Sequence, residues 1–295
     1  MRTPARASDA DLNEGNLFAY IRTFSAHAGC ELIEDDRVLY FASGVQTPSM
    51  LSNGVYKCRF GGDDGKVRAA VARVDDYYKR KKLPYFFTTG PSSSPGAGAA
   101  ARGLGLLHGQ SQAAMSLDLR SFPEEVPAVP NLEIRQVRDG DTLLRWLTVF
   151  AIGFKQSWLL AGRFMERYEK TFLDESVPAR HFIGYIGRKP VATSTVFYGD
   201  GVAGLYNIVT VPEARRRGVA TALTRTALAA GKRTGCAKAI LQASSAGRAV
   251  YEKLGFATGG GYELYVGLHG ASSVMFPLSY LTRIVTNGLR GVLPV

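Results

Sequence analysis

The sequence predicts an α/β protein built around a mixed sheet. Two observations carry this. Residues 132–268 switch between period-2 and helical apolar spacing in the order β-α-α-β-β-β-α-β-α-β, with turn signals between the segments. The 295 residues are 46% hydrophobic and 11% aromatic, enough for a sizeable core and for one large or two medium domains.

The elements follow in chain order. Ser8-Asp9-Ala10-Asp11 caps a helix predicted to run to about Ala28. RVLYFAS and GVYKCRF alternate as strands within 31–60. Residues 63–83 open with acids and close with cations, the polarity that suits a helix dipole. TTGPSSSPGAGAAARGLG reads as a mobile loop, and Arg102-Gly103-Leu104-Gly105 as part of it. AAMSLDL at 113–119 is a strand, and the three prolines of SFPEEVPAVPN mark the best domain boundary. LEIRQV alternates as a strand, Asp139 and Asp141 precede a helix to about Phe150, and RFMERYEKTFL is a second helix. HFIGYIG, PVATSTVFY and VAGLYNIVTV are three strands joined at Gly187-Arg188-Lys189 and Gly199-Asp200-Gly201. From Gly218 an apolar face runs through Val219, Ala222, Leu223 and Ala230, closed by Gly231 and Gly235. KAILQAS, a short helix ending at Gly255, and GYELYVG complete the series.

Composition limits the function. No run of about 18 apolar residues exists, so no membrane span is expected. The N-terminus has no apolar core behind its arginines and does not read as a secretory signal. Cys30, Cys58 and Cys236 suit neither a disulfide framework nor a metal site, and a reducing cytoplasm is the expected compartment. The formal charge is +11. Residues 1–127 hold 15 Lys+Arg against 14 Asp+Glu, and the remainder 21 against 11, so the surplus lies in the second half. Six cations against Glu213 sit within 211–235 alone. Such a patch attracts phosphorylated small molecules, nucleic acid or an anionic surface.

The sharpest local feature is VPEARRRGVATAL at 211–223. The start of a helix already carries partial positive charge, so Arg215, Arg216 and Arg217 are unfavourable there unless an anion arrives. Gly218 and the small Ala220 let a ligand approach the backbone, and the stretch suits a diphosphate-sized anion. The phosphate-loop pattern and the dinucleotide fingerprint are both absent. A simple solvated basic helix start is the bland alternative.

Arg215-x-x-Gly218-x-Ala220 between a strand and a helix resembles the acetyl-coenzyme A signature of the GNAT acetyltransferase superfamily. LQASSAGRAVYEKLGF resembles its second motif, in the right order. The resemblance covers 132–268 well and the first 127 residues loosely. It implies a GNAT-like mixed, mostly antiparallel sheet flanked by helices, preceded by an N-terminal α/β half-domain. The expected division is 1–127 as a degenerate GNAT-like or supporting domain, 128–268 as the acetyltransferase domain, and 269–295 as an apolar tail. It further implies acetyl-coenzyme A as donor and a small-molecule amine as acceptor, joined by direct attack in a ternary complex. The pyrophosphate would lie on Arg215, Arg216, Arg217, Gly218, Val219, Ala220 and Thr221. The pantetheine arm would pair with Ile208, Val209 and Thr210. A backbone N–H near Ile208 would stabilise the thioester oxyanion. Tyr251 would protonate the departing thiolate. Ser244 stands where the family often has Asn, and still offers a hydrogen bond to the arm. Asn207 either touches the substrate amide or ends its strand.

The general base is open among Asp200, Tyr206, Glu263 and water. His181, in a strand pattern, reads as structural, and Trp146, Phe150 and Phe154 at helical spacing read as core. The tail residues Leu281, Ile284, Val285 and Leu289 fit packing on the body, with dimerisation or a membrane surface as alternatives. The rival functions are a non-catalytic acyl-coenzyme A sensor, an acyltransferase with a peptide or protein acceptor, and a nucleic-acid binder. The last lacks basic-aromatic interleaving.

Overall fold

A computed structural model describes residues 7–46, 52–61, 63–154 and 168–270. The tail beyond 270 and the start of the second predicted helix of the second half lie outside these residues. The first segment runs α1 (Asp9–His27), β1 (Glu31–Glu34), β2 (Val38–Ala42), β3 (Asn53–Cys58), α2 (Asp64–Lys81), β4 (Tyr85–Thr89), α3 (Ala97–Gly103) and β5 (Leu107–Asp118). The second runs β6 (Leu132–Gln136), α4 (Gly140–Phe154), helical residues 168–173 (α5), β7 (Ala179–Ile186), β8 (Lys189–Gly199) and β9 (Val202–Thr210). It ends with α6 (Val219–Arg233), β10 (Lys238–Ser244), α7 (Arg248–Lys253) and β11 (Ala257–Gly267).

Local chemistry sets these elements. Ser8 caps α1 through a capping box: its hydroxyl accepts from the Asp11 N–H at 3.1 Å, and its own N–H reaches the Asp11 carboxylate at 3.0 Å. Leu17, Ile21 and Phe24 form the buried stripe of α1. The strand β8 is rich in β-branched residues and is buried along most of its length. One expectation changes. The Gly/Ala segment contains the helix α3, so Arg102 and Gly103 are helical rather than loop. Alanine is the best helix former, and the flanking Pro and Ser residues hid a seven-residue helix whose Ala97, Ala100 and Ala101 are buried.

All eleven strands form one sheet, in the order β1-β2-β3-β4-β11-β5-β10-β9-β8-β7-β6. Only β3–β4 and β9–β10 are parallel. Each segment repeats one scheme: a parallel pair bridged by a helix, then a short helix, then a long strand. The two long strands are exchanged. β11 of the second segment lies between β4 and β5, and β5 of the first lies between β11 and β10. The linker predicted as a domain boundary is there, but the strands on its two sides interleave. It runs along α6, where the Phe122 and Glu125 carbonyls accept from Lys232 and Arg225.

The helix α1 packs across strands of both segments, touching β5, β8, β9, β10 and β11. Its Asn13 amide donates to the Met115 and Leu241 carbonyls at 3.1 Å, and its Asn16 amide to the Val202 carbonyl at 3.1 Å. The approach is close because of Gly204, where a Cβ would overlap Asn16 Oδ1 and fall 2.6 Å from the Tyr206 ring. The neighbouring Ala203 packs under Gly231 of α6 on the opposite face. Gly204→Ala should therefore destabilise the protein by about 1–3 kcal/mol, through the overpacking of a filled interior. Urea unfolding would measure this, and an unchanged midpoint would contradict the packing described.

Candidate functional site

The parallel pairing of β9 with β10 covers only Val202–Gly204 against Lys238–Ile240. Beyond Gly204 the two strands part. β9 continues to Thr210 with a sheet neighbour on one side only, β8. Alternate backbone N–H and C=O groups of this stretch therefore face a cleft rather than a strand. An extended chain carrying amides can complete them.

A bulge shapes the lip of that cleft. Thr195 pairs with Tyr206 and Thr193 with Val209, so Asn207 and Ile208 together oppose Ser194. Asn207 is left-handed, with φ 54°. The Thr193 hydroxyl donates to the Asn207 carbonyl at 2.7 Å, which turns that carbonyl toward β8. The next N–H, of Ile208, belongs to the same trans amide and points the opposite way, to the open side. The Asn207 side chain is held inside the protein. Its amide donates to Tyr20 Oη at 3.1 Å and to Thr195 Oγ1 at 3.2 Å.

The chain then enters the basic loop. Pro212–Ala214 form one 3-10 turn, Val211 and Ala214 are buried anchors, and Arg215, Arg216 and Arg217 are exposed. Arg215 Nε donates to the Thr210 carbonyl at 3.0 Å. Arg216 (φ 61°) and Gly218 (φ 82°) take left-handed conformations, a geometry that turns successive N–H groups toward a common point. Gly218 is the N-cap of α6 and offers no side-chain oxygen. The six N–H groups from Arg216 to Thr221 find no acceptor among the described residues, and Arg216 and Arg217 have no ion-pair partner there. Such N–H donors, the positive end of a fifteen-residue helix and exposed guanidinium groups are the features that an anion would find attractive.

The far wall comes from β10 and α7. Ser244 ends β10, and its carbonyl accepts from the Gly247 N–H at 3.0 Å. Tyr251 on α7 is 9% exposed and packs edge-on to Phe256, in the same apolar cluster as Val209, Val211 and Val219. Its hydroxyl has no hydrogen-bond partner among the described residues. Burial pushes its phenol above the ordinary range, so it keeps its proton at neutral pH.

The first segment carries the same scheme in closed form. Its parallel pair is also short, Gly54 against Phe86 and Val55 against Phe87. There the parting strands are stitched: the Ser94 N–H donates to the Cys58 carbonyl at 2.7 Å, and the Phe60 N–H to Ser94 Oγ at 2.7 Å. Arg59 Nε donates to Ser92 Oγ at 2.9 Å. The helix start is self-capped, with the Asp63 carboxylate accepting from the Gly65 and Lys66 N–H groups at 2.7 and 3.0 Å. A resident carboxylate fills the position that an incoming anion would take.

The other sequence candidates are placed as follows. Tyr206 is buried, donates to Asn16 Oδ1 at 2.8 Å, and is pushed well above the usual phenol range by burial. Asp200 lies in the β8–β9 turn, at the opposite end of β9 from the basic loop. Glu263 is held by His108 at 2.6 Å and Ser111 at 2.7 Å. Of the three aromatics expected in the core, Trp146 is fully buried and Phe150 half-buried, but Phe154, at the last residue of α4, is exposed, so the core expectation fails there. His181 is structural as expected: 3% exposed, stacked on Phe172 at 4.3 Å, with Nδ1 2.9 Å from Thr195 Oγ1. Thr193 and Tyr20 were not singled out from sequence. Thr193 sits in an ordinary β-branched strand and Tyr20 on a core-facing helix stripe, so nothing local marks either.

Residues 144–256 match the Acetyltransferase (GNAT) family. A GCN5-related N-acetyltransferase from Kribbella flavida superposes with a TM-score of 0.64 at 13% identity, over 88% of this chain and 98% of that one. A GCN5-related N-acetyltransferase from Sphaerobacter thermophilus gives 0.58 at 14% identity, over 86% and 93%. A tandem GNAT protein from the clavulanic acid biosynthesis pathway gives 0.58 at 15% identity, over 91% and 98%. At these identities the likeness is one of fold. No curated protein matches the chain.

The buried imidazole of His181 generates a prediction. Burial, reinforced by the neighbouring Arg180, lowers its pKa to about 3. The unfolded chain takes up this proton below about pH 6.5. Acid therefore favours the unfolded state between roughly pH 6.5 and 3, by about 1.4 kcal/mol per pH unit. On going from pH 6.5 to 5, the wild type should lose about 2 kcal/mol more stability than His181→Gln, from the same slope. Parallel pH dependence of the two proteins in urea would contradict the buried neutral imidazole.

Proposed function

We propose, for a chain whose residues 144–256 match a GNAT acetyltransferase domain, that it is an acetyl-coenzyme A-dependent N-acetyltransferase acting on a primary amine. One observation carries the reading: of two equivalent strand partings, the first is stitched and self-capped, and the second is open and edged by cations and N–H groups without partners among the described residues.

Each residue then has a task. The N–H groups of Arg216 to Thr221 and the three arginines hold the pyrophosphate and 3′-phosphate, with the helix dipole adding to the attraction. The free side of Ile208, Val209 and Thr210 pairs with the amides of the pantetheine arm, and Ser244 offers its hydroxyl from the opposite strand. The Ile208 N–H meets the thioester carbonyl and stabilises the negative charge that grows there as the amine attacks. The C–N bond forms, the C–S bond breaks, and Tyr251, still protonated, gives its proton to the leaving thiolate. The amine gives up its proton to water, because Tyr206 and Glu263 are engaged and Asp200 lies at the far end of the strand. Asn207 has both amide protons spent on protein groups, so its part is to shape the bulge. The first segment walls and supports the site and takes no second cofactor. Among the described residues no helix is long and apolar enough to cross a membrane.

Calorimetric titration with acetyl-coenzyme A, and with dephospho-coenzyme A at two salt concentrations, tests the reading. Binding should weaken when the 3′-phosphate is lost and when salt rises. Absence of binding would remove it. Arg217→Glu combined with Gly218→Trp should abolish binding in a folded protein, since Val129 already lies 3.3 Å from where a Cβ at Gly218 would stand. Tyr251→Phe should slow thiol release by roughly 100-fold while donor affinity stays near wild type. An unchanged rate would remove Tyr251 as the acid.

A further inference from the structure

Resting on the donor site just described, we infer that Tyr20, carried by α1 of the first segment, is a positioning residue for acyl transfer. Through the Asn207 side chain it holds the β9 bulge and fixes the direction of the Ile208 N–H.

The bulge is not a conformation that its sequence prefers. Asn207 sits at φ 54°, a region that asparagine tolerates better than most residues but does not prefer, so the surroundings decide whether it stays there. Three hydrogen bonds do so. Thr193 Oγ1 fixes the Asn207 carbonyl, and Thr195 Oγ1 and Tyr20 Oη each take one proton of the side-chain amide. The first two come from β8, the strand already paired with β9, and move with it. Of these three hydrogen bonds, only the one to Tyr20 reaches a different layer of the fold.

Tyr20 is itself rigid. Its ring stacks on Tyr206 at 4.1 Å with an interplanar angle of 4°, meets Phe24 at 4.6 Å, and meets the edge of Phe197 at 5.5 Å. Tyr206 is tethered in turn through Asn16, whose amide bonds the Val202 carbonyl at the start of the same strand. The β9 segment that precedes the bulge and the bulge itself are thus both anchored to α1, 187 residues away in sequence at the Tyr20–Asn207 contact. Burial keeps the Tyr20 phenol protonated, so it acts as a neutral hydrogen-bonding group throughout the ordinary pH range. It is 3% exposed and is reached by the Asn207 amide, so its effect on the donor passes through Asn207.

The test uses the full chain and acetyl-coenzyme A labelled with carbon-13 at the thioester carbonyl. A hydrogen bond from the Ile208 N–H displaces the bound carbonyl resonance from its position in free donor. Tyr20→Phe deletes one hydroxyl and leaves the aromatic stack. It should bind donor as the wild type does, with the carbonyl displacement at least halved, and should turn over about tenfold more slowly once an amine is found, a partial loss of an oxyanion donor. Tyr262→Phe is the control. That phenol bonds Asn13 on the same helix at 2.9 Å, away from the bulge, and its loss should leave the displacement intact. Asn207→Gly is the second variant: it tolerates the left-handed backbone but lacks the amide, and should lose the displacement as Tyr20→Phe does. A wild-type displacement retained in Tyr20→Phe or in Asn207→Gly, or an equal loss in Tyr262→Phe, overturns the positioning role while the donor site stands. Failure of the wild type to bind acetyl-coenzyme A overturns both.

Discussion

A strand that loses its neighbour halfway along its length is the constraint on which the rest depends. β9 is fully paired for three residues and then keeps only β8. A protein ordinarily satisfies its buried backbone groups, so a half-paired strand inside a sheet persists only if a chain-like ligand or water completes it. Everything around the parting serves to keep it open. α1 grips the strands just before they diverge, through Asn13 on β10 and β5 and Asn16 on β9. α6 starts at the far end, where its N–H groups, without acceptors among the described residues, extend the row of donors. The bulge between them turns one further N–H to the open side.

The first segment shows what happens when the same architecture is closed. The difference between the halves lies in a few atoms. A carboxylate at the helix start, Asp63, replaces a left-handed glycine at the corresponding place, Gly218. A seryl N–H and hydroxyl bridge the strands that would otherwise gape. Charge follows the same division, with the formal surplus almost wholly beyond residue 127. Electrostatics and hydrogen bonding thus agree on which half is open, although they are independent features of the sequence.

Much of this was legible in the residues. The crowding of Arg215, Arg216 and Arg217 at a helix start stands out from consecutive residues alone, whereas Tyr251–Phe256 is marked only by its resemblance to the second GNAT motif. Periodicity located most strands and helices, because each buries one face. What the residues hide is pairing. The alternation of β5 and β11 says which side chains face inward, and says nothing of which strand lies alongside, so the exchange between segments could not be read. The left-handed Asn207 was hidden for a similar reason: asparagine tolerates that region without requiring it, and the groups that impose it are Thr193, Thr195 and Tyr20. The helix α3 is hidden because its alanines lie among prolines and serines whose composition is that of a loop.

The exchange of β5 and β11 also imposes an order of events on a chain emerging from the ribosome. The N-terminal segment leaves first, yet the strand that belongs between its β4 and β5 is the last of the described strands to be made. Until residues 257–267 arrive, β4 and β5 each present an unsatisfied edge, the kind of surface that recruits wrong partners. Closing that gap spans more than half the sequence, so the entropic cost of loop closure falls late and the nascent N-terminal half waits unfinished. A gene carrying this arrangement could not be split between its two segments without each product inheriting a gap in its sheet.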